Sequence, residues 1–237
     1  MFDDDYLYFY EEMLSAARSD ADAQTIADLL SLGPGMRVLD VPCGEGRIAG
    51  RLAALGCEVV GVDSSARFIE LGRERYPDVH FELADMRSLR YDWEFDAVVN
   101  WFTSFGYFDP LTNDALLASF ARALRPGGRL LVELMNEGWL TRLLTMTGGQ
   151  SASLVQREGD LMVDRVRRDA ATGRSHTERF IIRGGRVRTL EFSLEQVPAT
   201  ELERRLLAAG FEAVELFGQG GQPFDPEGRR LLAVAQR

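Results

Sequence analysis

The chain has 237 residues, 46% of them hydrophobic, and a formal net charge of −10. This length allows a substantial core and suits one α/β domain with modest additions. The negative charge argues against nucleic acid as a partner, because phosphate neutralisation requires a surplus of basic residues. Small-molecule partners are therefore favoured.

The two cysteines, Cys43 and Cys57, fall where a strand end and the start of a second strand are expected. A disulfide scaffold is not indicated, and reduced thiols of a cytoplasmic protein are predicted. The N-terminus is acidic and aromatic, and it has neither a basic segment nor a long apolar run of the kind found in signal peptides. No later stretch reaches the roughly 18 uncharged apolar residues of a membrane span. We therefore expect a cytoplasmic protein with no membrane partner. The sequence leaves the oligomeric state, monomer or homodimer, open.

Hydrophobic periodicity predicts the elements of the first 150 residues. Apolar residues at helical spacing across 11–32 end at Gly33-Pro34-Gly35 and predict two leading helices. Short apolar runs then alternate with amphipathic stretches, which predicts βαβ units and a parallel sheet. The predicted strands are 37–41, 58–62, 79–83, 95–101 and 129–135, separated by a helix ending at 55 and helices at 65–76 and 113–124.

After residue 150 the pattern changes to alternating strands with turn signals. The turns are expected at 158–160, 171–173 and 183–185, which predicts an antiparallel insertion of about four strands. A helix at 200–209 and two final strands, 211–217 and 230–235, are predicted to follow.

The most informative motif is the segment 38–47, a buried strand that runs into a glycine turn and then a helix. Gly44 and Gly46 allow a ligand to approach the backbone closely, and the helix N-terminus offers unpaired N–H groups. With Ala49 these glycines also satisfy the G-x-G-x-x-A pattern of dinucleotide-binding enzymes. Asp40 favours a different ligand, because a carboxylate at this strand end repels a pyrophosphate and attracts a cation. The competing interpretation of Asp40 is a helix cap.

Two further strand ends carry acids. Asp63 lies about 20 residues after Gly44, the spacing at which an acid meets a ribose hydroxyl, although it is also placed to cap the helix from Ser65. Asp85 follows the third predicted strand, at its carboxyl end, where it can accept a hydrogen bond from an adenine amino group while Met86 packs on the ring. The competing interpretation is a loop acid beside a core methionine.

Taken together, these motifs resemble those of the class I S-adenosylmethionine-dependent methyltransferases. The resemblance covers about residues 20–135 and the closing strands, and it rests on Asp40-x-x-x-Gly44-x-Gly46, Asp63, Asp85 and Leu124-Arg125-Pro126-Gly127-Gly128. It implies an α/β fold with a Rossmann-like, doubly wound seven-stranded sheet of order 3-2-1-4-5-7-6, the seventh strand antiparallel, and an antiparallel β insertion before the last helix. The aromatic stretch 100–108 is similar to that of small-molecule N- and O-methyltransferases, including the aminosugar N-dimethyltransferases.

The resemblance also implies the cofactor and its contacts. S-adenosylmethionine is expected across the ends of strands one to four. The expected contacts are Asp40, Cys43, Gly44, Gly46, Asp63, Ser64, Asp85, Met86, Asn100 and Trp101. The single methyltransferase domain, 1–237, is divided into leading helices (1–34), a cofactor-binding core (35–150), an insertion acting as substrate lid (151–196) and a closing helix and strands (197–237).

Methyl transfer requires alignment, exclusion of water and, for some acceptors only, removal of a proton. A general base is therefore optional, and the catalytic residues stay unknown. Tyr107, Glu133, Asn136 and Glu137 are candidates by position, each with a structural role as its competing interpretation. No side-chain cluster has metal-ligand spacing, so no metal is predicted.

Two groups of residues each have two possible interpretations. The N-terminal aromatics Tyr6, Tyr8, Phe9 and Tyr10 fold over the cofactor or form a packing face, and the arginines of the insertion either attract an acidic substrate or form a solvated face. The expected function is transfer of a methyl group to a nitrogen or oxygen of a small metabolite. The alternatives are a non-catalytic cofactor-binding or partner-binding module and an NAD or FAD oxidoreductase.

Overall fold

The computed structural model describes residues 3–237. Helices α1 (Asp4–Tyr10) and α2 (Ala16–Leu30) lead the chain. The first helix lies upstream of the predicted 11–32 segment, because the Asp3 side chain accepts hydrogen bonds from the backbone N–H groups of Asp5 and Tyr6 and so starts the helix earlier.

Strands and helices then follow each other along the chain. The strands are β1 (Arg37–Asp40), β2 (Glu58–Asp63), β3 (His80–Leu83), β4 (Phe95–Asn100), β5 (Leu124–Met135), β6 (Gln150–Arg157), β7 (Asp160–Asp169), β8 (Arg174–Arg183), β9 (Arg186–Glu195), β10 (Ala213–Phe217) and β11 (Arg230–Gln236). The remaining helices are α3 (Ala49–Ala54), α4 (Ala66–Arg75), α5 (Pro110–Ala123), α6 (Glu137–Met146) and α7 (Ala199–Ala208).

Seven strands form one twisted sheet of order β10-β11-β5-β4-β1-β2-β3. The first five strands are parallel, and β11 lies antiparallel between β5 and β10. This arrangement confirms the order and the antiparallel last strand implied by the resemblance. The acids that follow β1, β2 and β3 are thereby brought to one edge of the sheet, since parallel strands end on the same side.

Helices cover both faces of this sheet, as buried parallel strands require. On one face α5 and α7 pack Leu117, Phe120 and Leu206 onto the sheet. On the other face α2, α3 and α4 contribute residues such as Ile26 and Ile69. No helix of the described residues is long and apolar enough to cross a membrane.

The insertion is a four-stranded antiparallel meander, β6-β7-β8-β9, that lies between α6 and α7. It confirms the predicted antiparallel insertion. In β8 the buried residues alternate with more exposed ones, with Thr177 and Ile181 pointing inward. Helix α6 was not predicted from the sequence, although Asn136 caps it by accepting a hydrogen bond from the Gly138 N–H.

Candidate active site

A cavity of about 370 Å³ opens at the carboxyl ends of β1 to β4. Eight of the ten cofactor contacts expected from the sequence line it. They are Asp40, Cys43, Gly44, Asp63, Ser64, Asp85, Met86 and Trp101. The strand-end acids, which are distant in sequence, therefore face one space.

The other two expected contacts, Gly46 and Asn100, lie behind the cavity wall. Gly46 has a φ of +82°, and a Cβ on it would come within 2.5 Å of the Phe81 ring. Asn100 is fully buried and donates a hydrogen bond of 2.8 Å from Nδ2 to the carbonyl of Val41. Both residues support the turn after β1, and their contact with a ligand stays a prediction.

Asp63 organises the glycine turn from the end of β2. Its Oδ2 accepts a hydrogen bond of 2.9 Å from the Gly44 N–H, and its Oδ1 accepts one of 2.8 Å from the Ser65 N–H. Burial raises the pKa of this carboxyl, while the backbone N–H donors act in the opposite direction. Ser65 itself caps α4, because its hydroxyl accepts a hydrogen bond of 3.4 Å from the Phe68 N–H. Asp63 therefore supports the turns on both sides of it and lines the cavity.

Asp40 is the most unusual group of the cavity. It is only 2% exposed, and its Oδ2 has no hydrogen-bond partner among residues 3–237. Burial raises the pKa of the Asp40 carboxyl to about 7, and the positive charge of Arg47 opposes this shift. A buried carboxylate with an unused oxygen is costly unless it meets a cation or a donor. The cavity thus fits a ligand that brings positive charge to this point, such as S-adenosylmethionine.

Asp85, which follows β3 and lines the cavity, is paired within the protein. Arg87 donates to both of its oxygens, with 2.6 Å between Nη2 and Oδ2, and this ion pair lowers the pKa of Asp85. The Arg87 guanidinium also lies 4.7 Å from the centre of the Phe108 ring. The position of Asp85 at the cavity matches the prediction, but its hydrogen bond to an adenine stays a prediction.

The sequence analysis left Tyr6 open between covering the cofactor and a packing face, and it missed Leu14, Arg47 and Phe68 as lining residues. Tyr6 of α1 and Leu14 come from the leading segment, and Arg47 and Phe68 come from the elements that follow β1 and β2. The cluster of aromatic residues near the N-terminus was the available signal for Tyr6. Arg47 had no signal of its own, because an arginine after a glycine turn is also typical of a solvated helix start.

A second cavity of about 390 Å³ lies between the sheet and the insertion. Tyr6, Phe102 and Tyr107 line both cavities and therefore mark their junction. The insertion supplies much of the remaining wall, together with Trp139 and other residues of α6. Two cavities joined by aromatic rings suit a reaction between two ligands that meet at the junction.

Of the candidate bases, Tyr107 is the one that lines this junction. Burial raises the pKa of the Tyr107 phenol, and burial raises that of Tyr6 as well. Both side chains are therefore neutral phenols near pH 7. A neutral phenol is a weak base but a good hydrogen-bonding group.

The other three candidates are engaged elsewhere in the protein. Glu133 forms an ion pair of 2.9 Å with Arg230 and accepts a hydrogen bond from the Thr103 N–H. Asn136 donates to carbonyl groups of the loop before β11, and Glu137 pairs with Arg168 at 2.7 Å. None of these three lines either cavity.

The geometry defines a class of protein: a doubly wound α/β protein with one cavity at its strand ends, where proteins of this architecture bind their ligands, and an adjoining second cavity. Residues 38–128 match the family model described as "Methyltransferase domain". This segment, which carries most of the motifs, is therefore similar to known methyltransferase domains, and the resemblance inferred from the motifs is confirmed.

Individual proteins show the same relationship. The chain is 35% identical over 142 residues to the dTDP-3-amino-3,4,6-trideoxy-alpha-D-glucopyranose N,N-dimethyltransferase of Streptomyces venezuelae. The match covers 59% of this chain and 58% of that relative, so the chain spans less than two thirds of its length.

Two solved structures are similar over nearly the whole chain. DesVI of Streptomyces venezuelae has a TM-score of 0.70 and 28% identity, covering 99% of this chain and 98% of that one. CalS10, an amino pentose methyltransferase from Micromonospora echinaspora solved with SAM bound, has a TM-score of 0.70 and 24% identity, covering 100% of this chain and 98% of that one. At 24% identity, the similarity to CalS10 concerns the fold alone.

Proposed function

We propose that this protein transfers a methyl group from S-adenosylmethionine to a small molecule. The carrying observation is Asp40, which lines the cavity at the strand ends and has a buried oxygen without a hydrogen-bond partner among the described residues. A carboxylate here suits the ammonium and sulfonium charges of the cofactor and opposes a pyrophosphate. The methyltransferase relatives support the same assignment.

The residues around the cavity divide the binding task. Asp40 faces the methionine part, Asp63 is placed for the ribose, and Asp85 with Met86 lies at the adenine end. S-adenosylmethionine supplies a methyl group that its positive sulfur already activates. The protein has to bring the acceptor into line with that methyl group and exclude water.

We further propose that the acceptor atom is an amine nitrogen. Asp164 of the second cavity is held by Arg179, with Nε–Oδ1 and Nη2–Oδ2 both 2.7 Å, and the phenols at the junction are neutral. No uncommitted carboxylate lines the second cavity within residues 3–237. A neutral amine needs no base to attack, whereas a hydroxyl does. The N,N-dimethyltransferase relative is consistent with this choice.

The first test is binding and turnover by the purified protein. Calorimetry is expected to show S-adenosylmethionine binding below millimolar concentration, and mass spectrometry to show S-adenosylhomocysteine formed with primary amines but not with matched alcohols. Absence of binding contradicts the proposed function. Binding without turnover on any acceptor favours a non-catalytic module, and co-purified NAD or FAD, detected by absorbance, favours an oxidoreductase.

Tyr107 provides a test of the base-free mechanism. Tyr107→Phe retains the ring and removes the hydroxyl, so we expect kcat to fall by less than about tenfold, because a lost neutral hydrogen bond changes free energy by about 1 kcal/mol. The pH profile of kcat should keep its shape. A loss of three orders of magnitude would identify the phenol as an essential proton-transfer group instead.

A further inference from the structure

Arg47 is a buried cation in the wall of the cofactor cavity. It lies in the turn between β1 and α3 and is 7% exposed. Arginine is seldom buried to this extent without partners that use its several donors. The number of its N–H groups that are already satisfied therefore decides whether it can take a ligand.

Only one guanidinium nitrogen of Arg47 is engaged by polar groups. Its Nη1 lies 2.9 Å from Oδ2 of Asp22 and 3.4 Å from the hydroxyl of Ser19, while its Cζ lies 5.0 Å from the centre of the Phe102 ring. Within the part of the chain that the structure describes, Nε and Nη2 make no hydrogen bond. Nε and Nη2 of Arg47 are not among the fully buried, unpartnered polar atoms of the described residues, so both atoms retain some accessible surface.

The second arginine of this cavity shows the contrast. Arg87 donates from Nε and Nη2 to both oxygens of Asp85, which uses the fork of its guanidinium on a protein carboxylate. Its side chain is 53% exposed, so water solvates what remains. Arg47 is more deeply buried and retains the corresponding pair of donors.

Asp40 places a negative charge near Arg47. The charge of Arg47 is the strongest influence that lowers the pKa of Asp40 against the effect of burial. Even so, the two side chains form no ion pair within hydrogen-bond distance, and Oδ2 of Asp40 is left without a partner. Asp40 and Arg47 are both buried, line the same cavity and do not pair with each other. They therefore present two opposite charges to a ligand.

An α-amino acid group carries the complementary pair of charges. We propose that Arg47 binds the α-carboxylate of the methionine part of S-adenosylmethionine, while Asp40 faces its ammonium group. This inference rests on the proposed function, because it concerns the cofactor named there. The planar guanidinium suits a carboxylate geometrically, since parallel N–H groups can donate to both oxygens.

The test compares two ligands that differ only in this carboxylate: S-adenosylmethionine and decarboxylated S-adenosylmethionine. Affinities are measured by calorimetry on the wild-type protein and on Arg47→Gln. The wild type is expected to prefer the carboxylate form at least tenfold. Arg47→Gln is expected to lose at least tenfold in affinity for S-adenosylmethionine and less than threefold for the decarboxylated form.

Two controls separate ligand recognition from structural support. Asp22→Asn removes the ion pair but keeps the guanidinium, so the preference for the carboxylate form should persist. Arg87→Gln should change the affinities for both ligands by the same factor. Arg47→Lys keeps the charge and replaces Arg47→Gln in the test if the glutamine variant does not fold. It is expected to prefer S-adenosylmethionine over the decarboxylated form less strongly than the wild type does.

The outcomes distinguish the two proposals. If the wild type binds neither ligand, the proposed function fails and this inference fails with it. If the wild type prefers the carboxylate form and Arg47→Gln or Arg47→Lys retains the full preference, the inference fails while the proposed function stands. An equal loss for both ligands in these variants also overturns it, because the role of Arg47 would then be structural.

Discussion

The two sheets of this protein are held together differently. In the seven-stranded sheet the inner strands are largely apolar and buried, as in β4 and β11, whereas the edge strands β3 and β10 are partly exposed. The four-stranded insertion alternates exposed and buried residues, and buried polar side chains such as Arg179 and Ser175 lie on its inner face. The half of the molecule built on the seven-stranded sheet thus depends on dense apolar packing, whereas the half formed by the insertion also uses specific polar pairs such as Arg179 with Asp164.

Helix α1 connects the two halves through charge. Asp5 pairs with Arg183 and Arg188 of the insertion, each at 2.7 Å, and Asp4 pairs with Arg67 of α4 at 3.2 Å. The acidic N-terminal segment and part of the arginine-rich insertion therefore satisfy each other. The aromatic residues of α1 are at the same time brought over the cavities, with Tyr6 at their junction.

The largest effect is expected for the support of the glycine turn. Asp63→Ala leaves the N–H groups of Gly44 and Ser65 without their acceptor and removes the carboxylate placed for the ribose. We expect about 100-fold weaker binding of S-adenosylmethionine in calorimetry, equivalent to about 2.7 kcal/mol. Asp109→Ala, which removes a helix cap on α5, is the control that lowers stability only. Equal affinities for Asp63→Ala and wild type would contradict this role.

The next effect concerns the titration of Asp40. Because burial raises its pKa from 3.8 to about 7, the folded protein without ligand holds a proton that the unfolded chain releases between those values. Its contribution to stability therefore falls as pH rises through this window. A cationic ligand binds the ionised form, so affinity should increase about tenfold per pH unit up to about pH 7 and then level off.

Asp40→Asn is the matched variant for this titration. The amide does not ionise, so calorimetry over pH 5 to 8 should show weaker binding with a flatter pH dependence. Thermal melting of the ligand-free variant should lose the decline in stability with rising pH. A pH dependence as steep as that of the wild type would assign the titration to another group.

A smaller effect is expected at the adenine end. Met86→Ala removes the side chain placed to pack on the adenine ring, and the loss of this apolar contact should weaken S-adenosylmethionine binding about fivefold. The acceptor KM should stay unchanged, because Met86 lines only the first cavity. Met146→Ala, at an 81% exposed methionine of α6, is the control without effect on binding.

The smallest effect concerns the link between the halves. Asp5→Asn removes two partly exposed ion pairs, each worth up to about 1 kcal/mol, so we expect two- to threefold faster dissociation of S-adenosylmethionine in stopped-flow tryptophan fluorescence. Added salt should reduce the difference between variant and wild type. Asp20→Asn, which removes an ion pair with Arg51, is the control. If Asp5→Asn releases S-adenosylmethionine at the wild-type rate, the ion pairs of α1 do not help to retain the ligand.

The parallel sheet, the antiparallel insertion and the acids at the strand ends could all be predicted from the order of residues alone. These features follow from short-range spacing: apolar runs, glycine turns and the residue that ends each strand. The position of Asp40, Asp63 and Asp85 around one cavity follows from parallel topology, which is readable from the alternation of strands and helices.

Which of these groups can meet a ligand depends on packing between segments that are distant in sequence. Glu133 is engaged by Arg230 from a distant strand, whereas Asp40 keeps an unpartnered oxygen, and no local pattern distinguishes the two. The burial of Arg47 and the place of Tyr6 at the cavity junction likewise depend on contacts between distant segments. Hydrogen-bond satisfaction and burial are properties of the packed chain, and they determine the chemistry of a side chain as much as its identity does.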